Sequence, residues 1–393
     1  MFFNVQSEIK QNEYRDILKL TGSFSRLFSD NTAPYLGYRL VERNFCDVFG
    51  ARNLAGKDQS VDVEIDGTGI GLKTFLVGND KSYQKIAEFN KNRHLYENLS
   101  EEEKIKKISE MRNKRIKLAE KTFKLDRCIY HCVVRQPGKF KIFEESMEYI
   151  DISNIRLGKD NRNKDNTNSI QFSDGINDYI FLLAKNTLTK RFNTVSSIDQ
   201  FNVEILDNPL GILKSLSLQE FEAPYSVPKR QQSICLPLYG RNRTVFPKSG
   251  LNQWNAGGRK RNYDEIYIPI PIDIHKLFPK FFPQRDTSFT LKLPDGRLMK
   301  AKVCQENNKA LMSYSNKELG QWILRDILSL KKGEILTTEK LDMLGIDSVR
   351  IHKTDESNFE INFAKSGSYE NFIVTASGLL DDSFDWDGML ADF

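Results

Sequence analysis

The chain has 393 residues, room for two domains each with its own core, and 58 Lys and Arg against 53 Asp and Glu leave a formal net charge of only +5. It contains no apolar run near the roughly eighteen residues a membrane helix needs, and its first residues, MFFNVQSEIK, lack the charged-then-apolar order of a secretory signal; a cytoplasmic protein without membrane contact is expected. The five cysteines, Cys46, Cys128, Cys132, Cys235 and Cys304, are odd in number and scattered, which argues against a disulfide framework or a zinc knuckle.

Two helices are predicted first. One spans 8–28, with Tyr14, Ile17, Leu18 and Leu20 on its apolar face; the second spans 34–49, where Tyr38, Leu40, Val41, Phe45 and Val48 pack and Glu42 and Arg43 stand beside them. Residues 60–75, SVDVEIDGTGIGLKTF, then change to a period of two. Val61, Val63 and Ile65 alternate with Asp62 and Glu64, DGTG reads as a four-residue turn, and Ile70 and Leu72 alternate with Gly71 and Lys73. In the simplest register Ile65 faces Ile70, Glu64 faces Gly71 and Asp62 faces Lys73, so that Asp62, Glu64 and Lys73 leave one face together. Two carboxylates and a lysine on one hairpin suit metal-assisted phosphodiester cleavage: Asp62 and Glu64 as ligands of Mg²⁺, Lys73 beside the attacking or leaving oxygen. The plainer reading is a surface hairpin whose Asp62 and Lys73 form an ion pair worth well under ~1 kcal/mol.

The order helix, hairpin, acid, then a lysine two residues after a second position resembles the PD-(D/E)xK nuclease core of many type II restriction enzymes. The chain departs from that pattern at position 71, where the second acid is replaced by glycine. A glycine opposite Glu64 would let that carboxylate swing across, and Glu42 on the preceding helix would supply a further acid.

Residues 82–123 read as charged and helical, with a Ser100/Glu103 capping box and a sparse stripe of Ile105, Ile108, Ile116, Leu118 and Phe123. Strands follow at 127–134 and 139–144. In CIYHCVV the alternation places Cys128, Tyr130 and Cys132 on one face of a buried strand, a reading preferred to a metal site that includes His131. Residues 158–168 lack any large apolar side chain and read as an exposed loop. A hairpin at 169–183 runs into AKNTLTKRF, whose Lys185, Lys190 and Arg191 are candidates for phosphate contact. A linker is expected over 207–228, where Pro209, Pro224 and Pro228 occur without periodicity.

The densest signal comes next. From 223 to 263 there are eight Lys or Arg and no Asp or Glu, which points to a polyanion. Asn252, Gln253, Trp254 and Asn255 lie within this stretch, between Ser249-Gly250 and Gly257-Gly258; amides and an indole suit base edges and stacking, and the glycines allow close backbone approach. Short strands are predicted at 265–270, 288–293, 297–304, 309–312, 333–340, 349–352 and 359–363, with a helix at 316–327, a barrel-like pattern. Residues 379–393 hold five Asp and no Lys or Arg and read as a disordered acidic tail.

Several of these stretches, SGLNQWNAGGRKR, EIYIPIP, FPQRDTSFTLKLPDG, AKVCQ, KALMS, LGQWILRD and LGIDSV, make residues 235–363 resemble the C-terminal DNA-recognition domain of NgoFVII- and BfiI-type restriction endonucleases, a pseudobarrel related to the plant B-three domain. That family carries a phospholipase-D-type His-x-Lys site in its other half. Here His94, His131, His275 and His352 are never followed by Lys two residues on, so only the DNA-reading half carries over. The resemblance implies two arms gripping the major groove, with Arg243, Asn252, Trp254, Asn255, Arg259 and Arg261 on the first and Ser313, Ser315, Asn316 and Lys317 on the second; Lys248, in the same basic stretch, is a candidate DNA contact that serves all sequences alike. Trp322 fits the buried side of its helix instead.

The combined expectation is an α+β chain: a mixed α/β restriction-endonuclease-like core over 1–206, a linker over 207–228, a β pseudobarrel over 229–375 and the acidic tail. The function implied is Mg²⁺-dependent, sequence-specific cleavage of double-stranded DNA, with a homodimer as one way to cut both strands. The rival is a non-catalytic DNA-binding regulator.

Overall fold

The computed structural model describes residues 1–54, 60–76, 81–158, 168–217 and 233–381, and the chain divides into two compact units, Met1–Ser226 and Val227–Phe393.

In the first unit, helix α1 (Glu8–Ser23) starts where the Ser7 side chain accepts the Lys10 N–H, and α2 (Tyr38–Phe49) ends at Gly50 in the left-handed conformation, φ 75°. The strands are β1 (Arg52–Asn53), β2 (Val63–Ile65), β3 (Thr68–Leu76), β4 (Lys81–Glu88), β5 (Arg127–Gln136), β6 (Lys139–Ser146), β7 (Arg156–Leu157), β8 (Ser169–Ser173), β9 (Asp178–Leu182), β10 (Thr187–Asn193) and β11 (Asp199–Asn202). Helix α3 (Glu101–Phe123) lies between β4 and β5 in sequence, and α4 (Pro209–Ser217) follows β11. One sheet runs β1-β2-β3-β5-β6-β11, with β3 and β5 parallel, and a second runs β4-β10-β9-β8-β7.

Alternation gives the first sheet two apolar faces. Ile70, Leu72, Val133 and Ile142 pack beneath Tyr14, Leu18, Val41 and Phe45 of α1 and α2. Phe75, Cys128, Tyr130 and Cys132 pack with Ile116, Ala119 and Phe123 of α3 and with Phe192 of β10. The two cysteines therefore fill a core, while His131 lies fully buried on the α1 side, its Nδ1 2.8 Å from Glu144 and its Nε2 3.2 Å from the Tyr14 hydroxyl. The predicted capping box at Ser100 and Glu103 starts α3. Residues 82–88, expected to be helical, belong to β4 instead, paired along its length with β10. Of the expected loop at 158–168, residues 159–167 lie outside the described residues. Within the expected linker 209–217 forms α4, and 218–232 lie outside the described residues.

The second unit is built on β12 (Ser233–Pro237), β13 (Ile268–Pro269), β14 (Phe289–Lys292), β15 (Leu298–Cys304), β16 (Ala310–Ser313), β17 (Ile346–Lys353) and β18 (Asn358–Lys365). They form one sheet, β12-β17-β18-β14-β15-β16-β13, whose end strands approach each other to leave it nearly closed. Helices α5 (Ile272–Leu277), α6 (Glu318–Gly320), α7 (Thr338–Leu344) and α8 (Ser368–Asp381) complete it, and α6 continues as wider π-helical turns over Gln321–Ile327. Trp322 is buried against Phe363, ring centres 5.3 Å apart, as its position in the helix implied. The strand expected at 333–340 is absent: Thr337 caps α7 through the Lys340 N–H, so the chain turns into a helix there. Residues 382–393, most of the expected tail, lie outside the described residues. No helix among the described residues is long and apolar enough to cross a membrane.

Candidate acidic site and candidate nucleic-acid interface

The β2–β3 hairpin turns at two residues. Asp66 (φ 46°) and Gly67 (φ 71°) both adopt left-handed backbone, the requirement of a type I′ turn, and Ile65 pairs with Thr68, Glu64 with Gly69 and Val63 with Ile70. The expected register, Glu64 opposite Gly71, is corrected by two residues. Glu64 consequently sits near the turn, its carboxylate 3.0 Å from the Arg52 guanidinium, which itself lies over the Phe123 ring. Nor is there space at Gly71 for Glu64 to occupy: a side chain there would come within 2.9 Å of the Met147 methyl and 3.1 Å of the Tyr130 ring.

Asp62 stands where the β2 ladder ends. Its backbone N–H donates to the Ile70 carbonyl at 2.9 Å and its carboxylate accepts the Leu72 N–H at 2.8 Å, which fixes the side chain next to the Gly71–Lys73 segment. Glu42, on α2 and only 7% exposed, reaches the same region. Burial raises its pKa, the Asp62 charge raises it further, and Arg39 and Lys73 oppose the shift. Glu42, Asp62 and Lys73 thus act on one another electrostatically, while Glu64 is engaged by Arg52. Lys73 is half-buried and pairs in the sheet with Cys132, whose thiol burial pushes well up and Lys73 draws partly back. Lys190, proposed for phosphate, is 4% exposed, ion-paired with Glu145 and set on the Phe192 ring, and Arg191 is held by Asp178 at 2.9 Å. Lys190 is therefore a buried structural cation.

In the second unit the arms divide into residues that build them and residues they present. Arg243 spans the Asp342 and Asp347 carboxylates, 2.9 Å from each. Asn252 is fully buried: its amide donates to the Leu336 carbonyl at 2.8 Å and the Phe246 carbonyl at 3.1 Å, and accepts the Leu336 N–H at 3.0 Å. Reading a base edge is closed to it, a correction that follows from every polar atom of its amide already being used. Arg261 turns back onto the Ala256 and Gly257 carbonyls, and Ser313, 1% exposed, accepts the Leu319 N–H at 3.1 Å to start α6. Arg325 donates to Asp264 at 2.7 Å and to the Tyr263 carbonyl, tying the helix after the second arm to the end of the first. Gly320 is required there, because a side chain would lie 1.9 Å from the Asp264 carbonyl oxygen.

Of the candidates on the first arm, Lys248 and Arg259 remain exposed, the latter held in two-pronged fashion by buried Glu265, with Asn255 bonded to the Pro247 carbonyl and Trp254 half-buried against Tyr263. The second arm presents Ser315, Asn316 and Lys317. Sequence reasoning omitted Arg241, Lys260 and Tyr263 on the first arm and Tyr314 on the second, all exposed, the last with the Lys302 ammonium 5.2 Å from its ring centre. Arg241 and Lys260 were visible only as part of the acid-free basic stretch.

A nearly closed sheet carrying two loop arms of basic, amide and aromatic side chains has the form of a nucleic-acid-binding unit. Residues 226–355, about a third of the chain, match the NgoFVII C-terminal B3-like DNA-binding domain, which supports DNA as the partner of this unit. No curated protein matches the chain.

Proposed function

We propose that the protein is a type II restriction endonuclease in which the Val227–Phe393 unit selects a short duplex sequence and the Met1–Ser226 unit hydrolyses the phosphodiester with Mg²⁺. The match of residues 226–355 to a DNA-binding domain named for a restriction enzyme carries the DNA half of this reading. The charges of Asp62 and Lys73 acting on buried Glu42, with Asp62 fixed by the Leu72 N–H, support the cleavage half.

The donor set suits the hard cation: Glu42, its pKa raised first by burial and then by the Asp62 charge, and Asp62 offer two carboxylates, and Mg²⁺ commonly takes one or two and leaves its other positions to water and phosphate. When bound, such an ion lowers the pKa of a water and withdraws charge from the phosphorane. The chain's own residues do the rest. Asp62, locked by the Leu72 N–H, and Glu42, held on a helix, supply fixed anionic oxygens; Lys73 places an ammonium beside the reacting oxygens, where it favours the transition state over the ground state. Glu64 remains tied to Arg52. One site cuts one strand, so two chains, each placed on one strand, complete the proposed double-strand break.

The alternative, a non-catalytic DNA-binding regulator, is favoured by one observation: Tyr130 and Met147 pack over Gly71, the position the nuclease pattern assigns to an acid. Incubating the protein with phage DNA and Mg²⁺ separates the two. Discrete fragments that disappear in Asp62→Ala support the nuclease, whereas a sequence-specific complex with intact DNA supports the regulator.

A further inference from the structure

Beside Glu42 the first unit exposes an unusual strip. Phe28 is 67% and Tyr38 60% exposed, with Tyr35 between them at 39%. The strip is continuous: the Phe28 and Tyr35 rings are 5.2 Å apart, the Tyr35 ring lies against Gly37 at the start of α2, and Tyr38 follows with the Arg39 guanidinium 5.2 Å from its ring centre. Arg39 in turn reaches Glu42 at 3.5 Å, so the rings lead directly to the acidic site. A second guanidinium, Arg135 of β5, lies 5.6 Å from the Tyr35 ring centre, and its buried Nε has no hydrogen-bond partner among the described residues.

Large aromatic rings left in water cost free energy unless something covers them. Here the cover is defined by charge. Arginine planes laid over exposed rings offer cations and stacking surfaces together, the combination that tracks a nucleic-acid backbone and its bases without reading sequence. A second copy of the chain would set Arg39 and Arg135 against their own counterparts, whereas the phosphates of a nucleic acid complement both guanidinium charges. We propose that Phe28, Tyr35, Tyr38, Arg39 and Arg135 form a sequence-independent DNA-binding strip that lays the strand to be cut across the start of α2. This rests on the nuclease reading of the Glu42 site, yet it is a statement about DNA contact and is testable without cleavage.

The test uses the full chain on a duplex containing its target, in Ca²⁺ in place of Mg²⁺. A benzophenone side chain introduced at Tyr38 should crosslink on illumination to DNA outside the bases read by the arms, and the same group at Leu20, 62% exposed on α1, should not. In parallel, Phe28→Ala with Tyr38→Ala should weaken binding about tenfold or more, and Arg135→Ala should lower the salt dependence of binding by about one phosphate contact. Crosslinking at Tyr38 to a second protein chain, or no DNA adduct together with unchanged affinity in both variants, overturns the strip. A protein that crosslinks through Tyr38 but never cuts in Mg²⁺ upholds the strip and sinks the nuclease reading instead.

Discussion

Glu42 and Glu64 are chemically the same and the structure gives them different tasks. Glu64 sits in an ion pair with Arg52, partly open to solvent, so Glu64→Gln should cost no more than about 1 kcal/mol and leave cleavage within severalfold of wild type. Glu42 is buried and its pKa is raised, first by burial and then by Asp62, against the pull of Arg39 and Lys73. A group whose folded pKa lies above its unfolded value contributes stability below the unfolded pKa and loses it as pH rises through the folded one. Glu42→Gln should therefore abolish cleavage yet raise the melting temperature at pH 8 without divalent ions, a gain that vanishes near pH 4. A melting temperature that falls at pH 8 would show that Glu42 is structural. Asn252 and Lys248 form a similar contrast. Asn252→Ala leaves the buried Leu336 N–H and carbonyl unpaired, about 1–3 kcal/mol, and should lower the melting temperature; Lys248→Ala should leave melting unchanged while weakening all DNA sequences alike. If Asn252→Ala melts normally and changes only which sequence is bound, the side chain reads DNA after all.

At the scale of elements, alternation identified the hairpin but not its register, and it breaks at Asp62, where Val61 packs with α3 and Val63 with α1 and α2. A slip of one residue turns every side chain to the other face and is easily noticed; a slip of two preserves the faces, so the pattern in SVDVEIDGTGIGLKTF fits both a four-residue and a two-residue turn. The turn chemistry decides it, since Asp-Gly is the favoured pair for two left-handed residues. Gly67→Ala should then cost on the order of 1 kcal/mol or more, because it needs φ near 71° and a side chain there would come within 2.5 Å of an Asp126 carboxylate oxygen. Thermal unfolding indistinguishable from wild type would mean the turn is not so constrained. Other elements were hidden for other reasons. The polar, charged residues of β4 look like a solvated helix until β10 is known to pair with them, and in the arms Asn252, Arg261 and Ser313 have the composition of DNA readers while backbone groups consume them, Leu336 far along the chain for Asn252 and near neighbours for Arg261 and Ser313. Local composition marks which segments bear polar groups; their orientation depends on backbone partners that composition does not name.

For the whole molecule, selection of sequence is proposed for one unit and cleavage for the other, so a single side chain should separate them. The DNA-binding half was legible because its motifs are local strings matching a known domain, and the candidate cutting site was less so because Glu42 joins Asp62 and Lys73 only through tertiary packing. Lys73→Ala removes one ammonium from the proposed site without touching the arms. The most direct measurement pairs a band shift on a target duplex with plasmid cleavage in Mg²⁺, for wild type and Lys73→Ala. The same specific complex is expected for both proteins, with discrete fragments from the wild type and uncut plasmid from the variant. Cleavage by Lys73→Ala at the wild-type rate, or no cleavage by the wild type at all, would contradict the proposal.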